Sequence, residues 1–329
     1  MNKKIAVIGS GSWGCAMSNH LAELRNDVYI WSFTEEEKNL INNEHKCKFL
    51  PDMVINENVK CSNDIKEVVE DADYIIHISP SKFTRNIFKS YKDYVEDKPV
   101  IICSKGIEDK TLLTLDEVLK DEMPSVRVAA LSGPSYAFEV ASHVPTAIIL
   151  ASKDEKILDE VARDFSDENM RIYKSRDILG VELGGSLKNI IAFCSGICAE
   201  LGFGTNAQAA LITRGLAEIA RLGTKMGADE KTFFGLSGLG DLILTCSSDE
   251  SRNRRAGRCI GKGLTIDETK KQIGQTIESI DNIKVAKKLA DKYNVEMPIV
   301  NAVYNVLFGN LTAKDAVTKL MNRGAKFEN

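Results

Sequence analysis

The sequence predicts an α/β chain with two parts: a doubly wound sheet over residues 1–180 and an all-helical domain over 181–329. Three observations predict it. Short apolar runs rich in β-branched residues alternate with helix-like segments through the first half. The first of these runs passes directly into a glycine-rich turn that opens a helix. From about residue 180 the character changes to long segments with apolar residues at helical spacing.

The opening run, KIAVI, has the composition of a buried parallel strand. It leads into Gly9-Ser10-Gly11-Ser12-Trp13-Gly14, then the helical stretch CAMSNHLAELR, then a second strand, DVYIW. GxGxxG in a strand–turn–helix–strand context is the dinucleotide fingerprint of a Rossmann-type sheet. Gly9 permits the tight turn, Gly11 lets a pyrophosphate approach the backbone, and Gly14 lets helix pack on strand. The helix start offers N–H donors to the phosphates. The second strand ends in Trp31-Ser32-Phe33-Thr34-Glu35-Glu36. It has neither an Asp for a ribose 2′-hydroxyl nor an Arg for a 2′-phosphate, so the residues leave NAD and NADP both open. Glu35 and Glu36 would repel a phosphate if turned inward, and equally suit the first turn of a helix.

Further strand-like runs lie at 74–79, 100–104, 126–131 and 146–152. Polar clusters follow them: Ser79-Pro80-Ser81, Ser104-Lys105-Gly106 and Ser132-Gly133-Pro134-Ser135. Ligands bind beyond the carboxyl ends of such strands, which places Lys105 where a substrate would be; the alternative is a solvated loop lysine. Pro134 is expected at the first position of a helix after Gly133.

In the second half, Leu183, Leu187, Ile190, Ile191, Cys194 and Ile197 form an apolar helical stripe. Lys188 lies off it, among Gly184, Gly185, Ala192, Ser195 and Ala199. A lone large side chain on a face of small ones can be desolvated and so tuned for proton transfer; a structural ion pair with a buried acid is the alternative. The helix NAQAALITRGLAEIARLG is expected at the centre of the domain, with Arg214 and Glu218 paired at four-residue spacing. The run GLSGLGDLILTCSSDESRNRR at 235–255 then combines a glycine-rich turn with Asp241, Ser251, Arg252 and Asn253. Asp241 and Thr245 share a face if the segment is helical. Ser247 and Glu250 fit a capping box opening the next helix, with Ser251, Arg252 and Asn253 in its first turns. The Arg252 guanidinium and the Asn253 amide suit a phosphate, while Arg254, Arg255 and Arg258 read as solvated or surface-paired.

Composition narrows the classes. With 43 basic and 47 acidic residues the net charge is −4, which argues against nucleic acid or a membrane surface as the main partner. No apolar run is expected to reach membrane-spanning length, and the start MNKKIAVIG lacks the pattern of a signal peptide. The eight cysteines form no CxxC pair and read as reduced, mostly buried thiols of a cytoplasmic protein. Histidines 20, 45, 77 and 143 read as structural, and no metal is required.

GSGSWG, SKGIE, LSGPSYAFEV, ELGGSLKN, NAQAALITRG and GLGDLILTC…SRNRR occur in this order over nearly the whole chain. Together they resemble the bacterial NAD(P)-dependent sn-glycerol-3-phosphate dehydrogenase family. The resemblance implies reversible hydride transfer between NAD(P)H and dihydroxyacetone phosphate, giving sn-glycerol 3-phosphate for glycerophospholipid synthesis, and a homodimer. It implies cofactor contacts at Ser12, Trp13, Ala137 and Glu278 and, at the second strand tip, Phe33. Lys105 would face both cofactor and substrate, and Lys188 would be the proton acceptor. Gly133, Ser135, Asp241, Ser251, Arg252 and Asn253 would form the substrate site, with Asp241 orienting Lys188 or binding a substrate hydroxyl and Arg252 also near the cofactor. The family often has a basic residue where this chain has Ser32-Phe33-Thr34, and Glu-Gly where it has Glu278-Ser279. Two other readings compete. A β-hydroxyacid dehydrogenase usually spaces its catalytic Lys and Asn four apart, whereas Lys188 and Asn189 are adjacent. A dinucleotide-binding redox sensor without turnover leaves Lys105, Lys188 and Asp241 without purpose.

Overall fold

The computed structural model describes residues 2–325 and 327–328, and the chain divides into two compact units. The first comprises Met1–Glu108 and Leu113–Glu182; the second comprises Asp109–Leu112 and Leu183–Asn329.

In the first unit the strands are β1 (Lys4–Ile8), β2 (Asp27–Trp31), β3 (Lys46–Cys47), β4 (Leu50–Val54), β5 (Val59–Ser62), β6 (Tyr74–His77), β7 (Val100–Ile102), β8 (Val128–Ser132), β9 (Thr146–Ala151) and β10 (Met170–Ser175). Its helices are α1 (Ser12–Glu23), α2 (Glu35–Glu44), α3 (Ile65–Val69), α4 (Ser81–Tyr91), α5 (Leu115–Glu122), α6 (Ala137–Ala141) and α7 (Glu155–Phe165). Eight strands form one sheet in the order β10-β9-β8-β7-β6-β1-β2-β5, and β3 and β4 pair separately. Side chains alternate between two apolar layers: Ile5 and Val7 of β1 pack in one, Ala6 and Ile8 in the other. Burial on both faces is why the strand is apolar from Ile5 to Ile8. The chain leaves β1 toward β2 on one side and later returns to β6 on the other, so β1 is where strand order reverses, the usual ligand crevice of open α/β sheets.

Three differences from the sequence expectations have physical causes. The segment 170–175 alternates buried and exposed residues at the sheet edge and carries Arg171 and Lys174, so its apolar signal as a strand was weak. Strand β9 runs antiparallel to β8, reached through a connection whose helix has only five residues. Pro134 does not start that helix: α6 begins at Ala137, capped by Tyr136, because Gly133 at φ +138° turns the chain before it can coil.

The helices from residue 178 onward are α8 (Ile178–Glu200), α9 (Thr205–Met226), α10 (Asp241–Ser247), α11 (Arg252–Gly261), α12 (Ile266–Ile273), α13 (Glu278–Tyr293), α14 (Pro298–Phe308) and α15 (Ala313–Met321). By length and composition α8 could cross a membrane, contrary to the expectation that no segment would, but 94% of its most apolar window is buried within the fold. It is buried on all sides, not along one stripe, whereas the N-terminal half of α9 is largely exposed, so α8 and not α9 is the central helix. Backbones approach closely there: a Cβ on Gly196 would stand 1.9 Å from the Arg254 carbonyl oxygen. The small residues of α8 are thus used partly for helix packing. Arg214 does not pair with Glu218. It faces Glu328 at 3.7 Å, and the buried Glu218 instead accepts from the Ile299 and Val300 N–H groups at the start of α14.

Candidate active site

The first unit presents a turn built from backbone. Gly9 sits at φ +126°, where a Cβ would meet the Ile78 carbonyl oxygen at 2.0 Å. A Cβ on Gly14 would meet the Gly9 oxygen at 1.9 Å. Both positions therefore exclude any side chain. Gly11 differs: no atom lies within 4 Å of its would-be Cβ, and α1, which it caps, has no side-chain cap. The open space and the N–H groups at the helix start fit the pyrophosphate of a dinucleotide.

The other first-unit candidates gather beside this turn. Trp13 Nε1 donates to Ser135 Oγ at 3.3 Å, and Ser135 Oγ donates to the Gly133 carbonyl at 3.2 Å. Ala137 begins α6 and packs with Trp13 against the same apolar layer. Phe33 projects past β2 with 85% of its surface exposed and its edge toward Trp31. Lys105 is half-buried just beyond β7. The loops around it are braced by a group with a structural role, His77, which contacts Ser79 Oγ at 2.7 Å and the Tyr91 hydroxyl at 3.2 Å. Ser79 N–H in turn donates to Ser104 Oγ at 2.7 Å. Burial pulls the His77 imidazole down to about 3, so it is neutral and a fixed hydrogen-bonding element.

The second unit presents side chains. Residues Leu236–Gly240 form a single wide helical turn that runs into α10, a type of bulge frequent at functional sites. Gly184 of α8 admits that turn; a Cβ there would lie 2.8 Å from the Ser237 oxygen. This brings Asp241, at the first position of α10, onto Lys188. The Lys188 ammonium donates to Asp241 Oδ1 and, at 2.7 Å, to Thr245 Oγ1. Thr245 Oγ1 in turn donates a hydrogen bond to the Asp241 carbonyl at 2.6 Å. Lys188 and Asp241 are 5% and 1% exposed, so the pair is held in a low-dielectric setting with its orientation fixed. Lys188 is thus ion-paired to a buried acid, as the alternative reading had it, and confined to one geometry. Neighbouring Cys246 is pushed up to about 12 by burial, against the pull of Lys188, and is an inert thiol. All eight cysteines are free and buried.

The start of α11 corrects one expectation. Ser247 and Glu250 do not form a capping box, because Ser247 still belongs to α10. Ser251 is the cap, accepting from Arg254 N–H at 3.2 Å. Arg252 is exposed, and its side chain makes no ion pair or hydrogen bond among the described residues. Arg254 and Arg258 are paired with Asp249, and Arg258 also with Glu200. Asn253 Oδ1 accepts from Ser279 N–H at 3.0 Å, and Asn189 Nδ2 donates to Glu278 at 2.9 Å. Asn253 of α11 and Asn189 of α8 therefore both bond to the first turn of α13, at Ser279 and Glu278. The contributions of Thr245 and Asn189 had only faint sequence signals: four-residue spacing from Asp241, and adjacency to Lys188. Among the described residues no group of three His, Cys, Asp or Glu side chains is placed to hold a metal.

Comparison with known proteins extends this geometry. The family model for the NAD-dependent glycerol-3-phosphate dehydrogenase N-terminus matches residues 4–158, and that for its C-terminus matches 177–318. The chain is 46% identical to glycerol-3-phosphate dehydrogenase (NAD(P)+) 2 of Lactobacillus delbrueckii subsp. bulgaricus, over 99% of this chain and 98% of that protein. It is 44% identical to the glycerol-3-phosphate dehydrogenase (NAD(P)+) of Bacillus subtilis strain 168, over 99% and 96%. The crystal structure of the Coxiella burnetii glycerol-3-phosphate dehydrogenase superposes with a TM-score of 0.94 at 37% identity, covering 98% of this chain and 99% of that one. A doubly wound sheet with this glycine turn, joined in sequence to a helical unit of this kind, defines an NAD(P)-dependent oxidoreductase. Within that class, the chain belongs to the NAD-dependent glycerol-3-phosphate dehydrogenase family.

Proposed function

We propose that this chain interconverts dihydroxyacetone phosphate and sn-glycerol 3-phosphate, with Lys188 as the proton donor in reduction and the acceptor in oxidation. The observation that carries this reading is the buried Lys188 ammonium, oriented by Asp241 and Thr245. A bound nicotinamide dinucleotide supplies or takes up the hydride. The glycine turn at 9–14 binds its pyrophosphate through backbone N–H groups, with Trp13, Phe33, Ala137 and Glu278 as further contacts. As hydride reaches the ketone carbon, negative charge grows on the carbonyl oxygen. Lys188 stabilises that charge and transfers one Nζ proton to it, leaving a neutral amine. Asp241 keeps the ammonium aimed before transfer, and its negative charge favours reprotonation of the amine afterwards. Lys105 orients and polarises the substrate. The exposed Arg252, with Asn253 and Ser251 at the start of α11, grips the phosphate, while Gly133 and Ser135 border the substrate.

The reading assigns residues 1–180 to dinucleotide binding and 181–329 to catalysis and substrate binding. It also carries a cytoplasmic homodimer supplying glycerophospholipid synthesis. The test follows nicotinamide absorbance when dihydroxyacetone phosphate is added to enzyme with NADH or, separately, NADPH. Rapid substrate-dependent oxidation that vanishes in Lys188→Ala supports it. Confirmed cofactor binding without oxidation refutes it and favours the sensor reading.

A further inference from the structure

The residues at the tip of β2 carry an acid that sequence position alone hid. In dinucleotide-binding sheets the adenosine ribose lies at the carboxyl end of the second strand, where a carboxylate accepts from the 2′-hydroxyl. Here that strand ends at Trp31 without an acid. The chain instead turns through Ser32, Phe33 and Thr34 into α2, and Glu37 in its first turn points back. Thr34 caps the helix by accepting from Glu37 N–H at 3.3 Å. The Glu37 carboxylate is thereby free of the usual reciprocal cap bond and accepts from Ser10 Oγ at 2.5 Å and from Ser32 Oγ at 3.0 Å. Ser10 belongs to the glycine turn and Ser32 directly follows β2, so one carboxylate bridges the pyrophosphate loop and the strand tip. Both bonds end on Oε2.

We infer that Glu37 selects NAD(H) over NADP(H): it accepts from the ribose 2′-hydroxyl and repels a 2′-phosphate at that position. This rests on the reading of the glycine turn as the dinucleotide site. A 2′-phosphate brings up to two negative charges, and the start of α2 already holds Glu35, Glu36 and Glu37. The cations nearby are engaged: Lys38 pairs with Glu35 at 2.8 Å, and Lys48 pairs with Glu36 at 3.0 Å. Residues 32–34 supply no cation. Half-buried Glu37 is less screened than these surface pairs.

The test measures dissociation constants of NADH and NADPH for the full-length protein by calorimetry, without substrate, in wild type, Glu37→Gln, Ser10→Ala and Gly11→Val. Wild type is expected to bind NADH more tightly than NADPH by about tenfold or more. Glu37→Gln keeps an acceptor for Ser10 and Ser32 but removes the charge, and should narrow that ratio at least about tenfold, mainly by tightening NADPH. Ser10→Ala keeps the charge and should preserve the ratio. Wild-type binding of NADPH as tight as that of NADH overturns the inference. So does equal weakening of both cofactors in Glu37→Gln, the signature of a carboxylate that only braces the loop. Failure of wild type to bind NADH, or NADH binding indifferent to Gly11→Val, overturns the reading of the turn itself and the inference with it. NADH binding that depends on Gly11, with a ratio unmoved by Glu37→Gln, overturns the role of Glu37 alone.

Discussion

The glycine turn of the first unit and the lysine cluster of the second solve the problem of a polar site in opposite ways. At 9–14 the proposed working groups are backbone N–H donors at the start of α1: Gly9 and Gly14 have no room for a Cβ and Gly11 leaves open space. At 188–245 the working groups are side chains, brought together from α8 and α10 and sealed from water. The first arrangement is local, spanning a few residues, and tolerates ligand charge because its own groups are neutral dipoles. The second joins residues more than fifty positions apart and depends on packing to hold a charge in a low-dielectric setting. Under the proposed function, binding would rest on local geometry and proton transfer on tertiary geometry.

The contrast can be tested by damaging each side in turn. The largest expected effect is on chemistry: Lys188→Ala should lower kcat by about 10³-fold or more while leaving the NADH dissociation constant unchanged. Parallel loss of NADH affinity would break the separation. Next, stability should respond to pH through Glu218. Desolvation raises this buried carboxyl to about 7, from an ordinary 4.5. Its contribution to stability is therefore complete below about pH 4.5 and is lost as pH rises through about 7, a loss of about 3 kcal/mol. Denaturant melts across that window should show the loss in wild type and a flatter slope in Glu218→Gln. His77 acts with the opposite sign: held at about 3 against an ordinary 6.5, it contributes fully above pH 6.5 and loses that contribution as pH falls toward 3.

Gly14→Ala comes next. Its Cβ would clash with backbone at 1.9 Å, so the turn must shift, costing about 2–3 kcal/mol in chemical denaturation and weakening NADH binding. An unchanged dissociation constant would show that the turn is not the binding element. The smallest effect is expected at the exposed Arg252: Arg252→Ala should raise the KM for dihydroxyacetone phosphate by about tenfold with a lesser change in kcat. Equal changes for a substrate lacking the phosphate would remove Arg252 from phosphate binding.

How legible each region was in the sequence follows from the same contrast. The glycine turn could be read because its function is its local conformation: GxGxxG after an apolar strand admits few other backbones. Lys188 could be singled out by its small neighbours, and Asp241 and Thr245 by their shared helical face. The sequence left Asp241 open between orienting Lys188 and binding a substrate hydroxyl, and gave no sign that Thr245 joins the pair, because the meeting depends on the wide turn at 236–240 settling against Gly184. Glu37 was passed over for Glu35 and Glu36 because distance along the chain says nothing about a side chain folding back from a helix start. The Ser247–Glu250 capping box failed because capping signals are degenerate where serines and acids cluster, and Ser251 took the position that the packing of α11 on α8 allowed. The pairing of Arg214 with Glu218 failed because four-residue spacing ignores the third dimension: the start of α14 offered two N–H donors to a carboxylate already buried.

By itself, the sequence determined the alternation of strands and helices, the glycine turn, the change to helices near residue 180 and the lysine that carries the proposed chemistry. These are encoded in side-chain periodicity and in backbone freedom, properties of neighbouring residues. The tertiary structure alone decided that Asp241 and Thr245 together hold Lys188, which acid reaches the tip of β2, and which arginines of α11 pair with Asp249. Each depends on distances between segments, set by packing across helices and loops that no local pattern specifies.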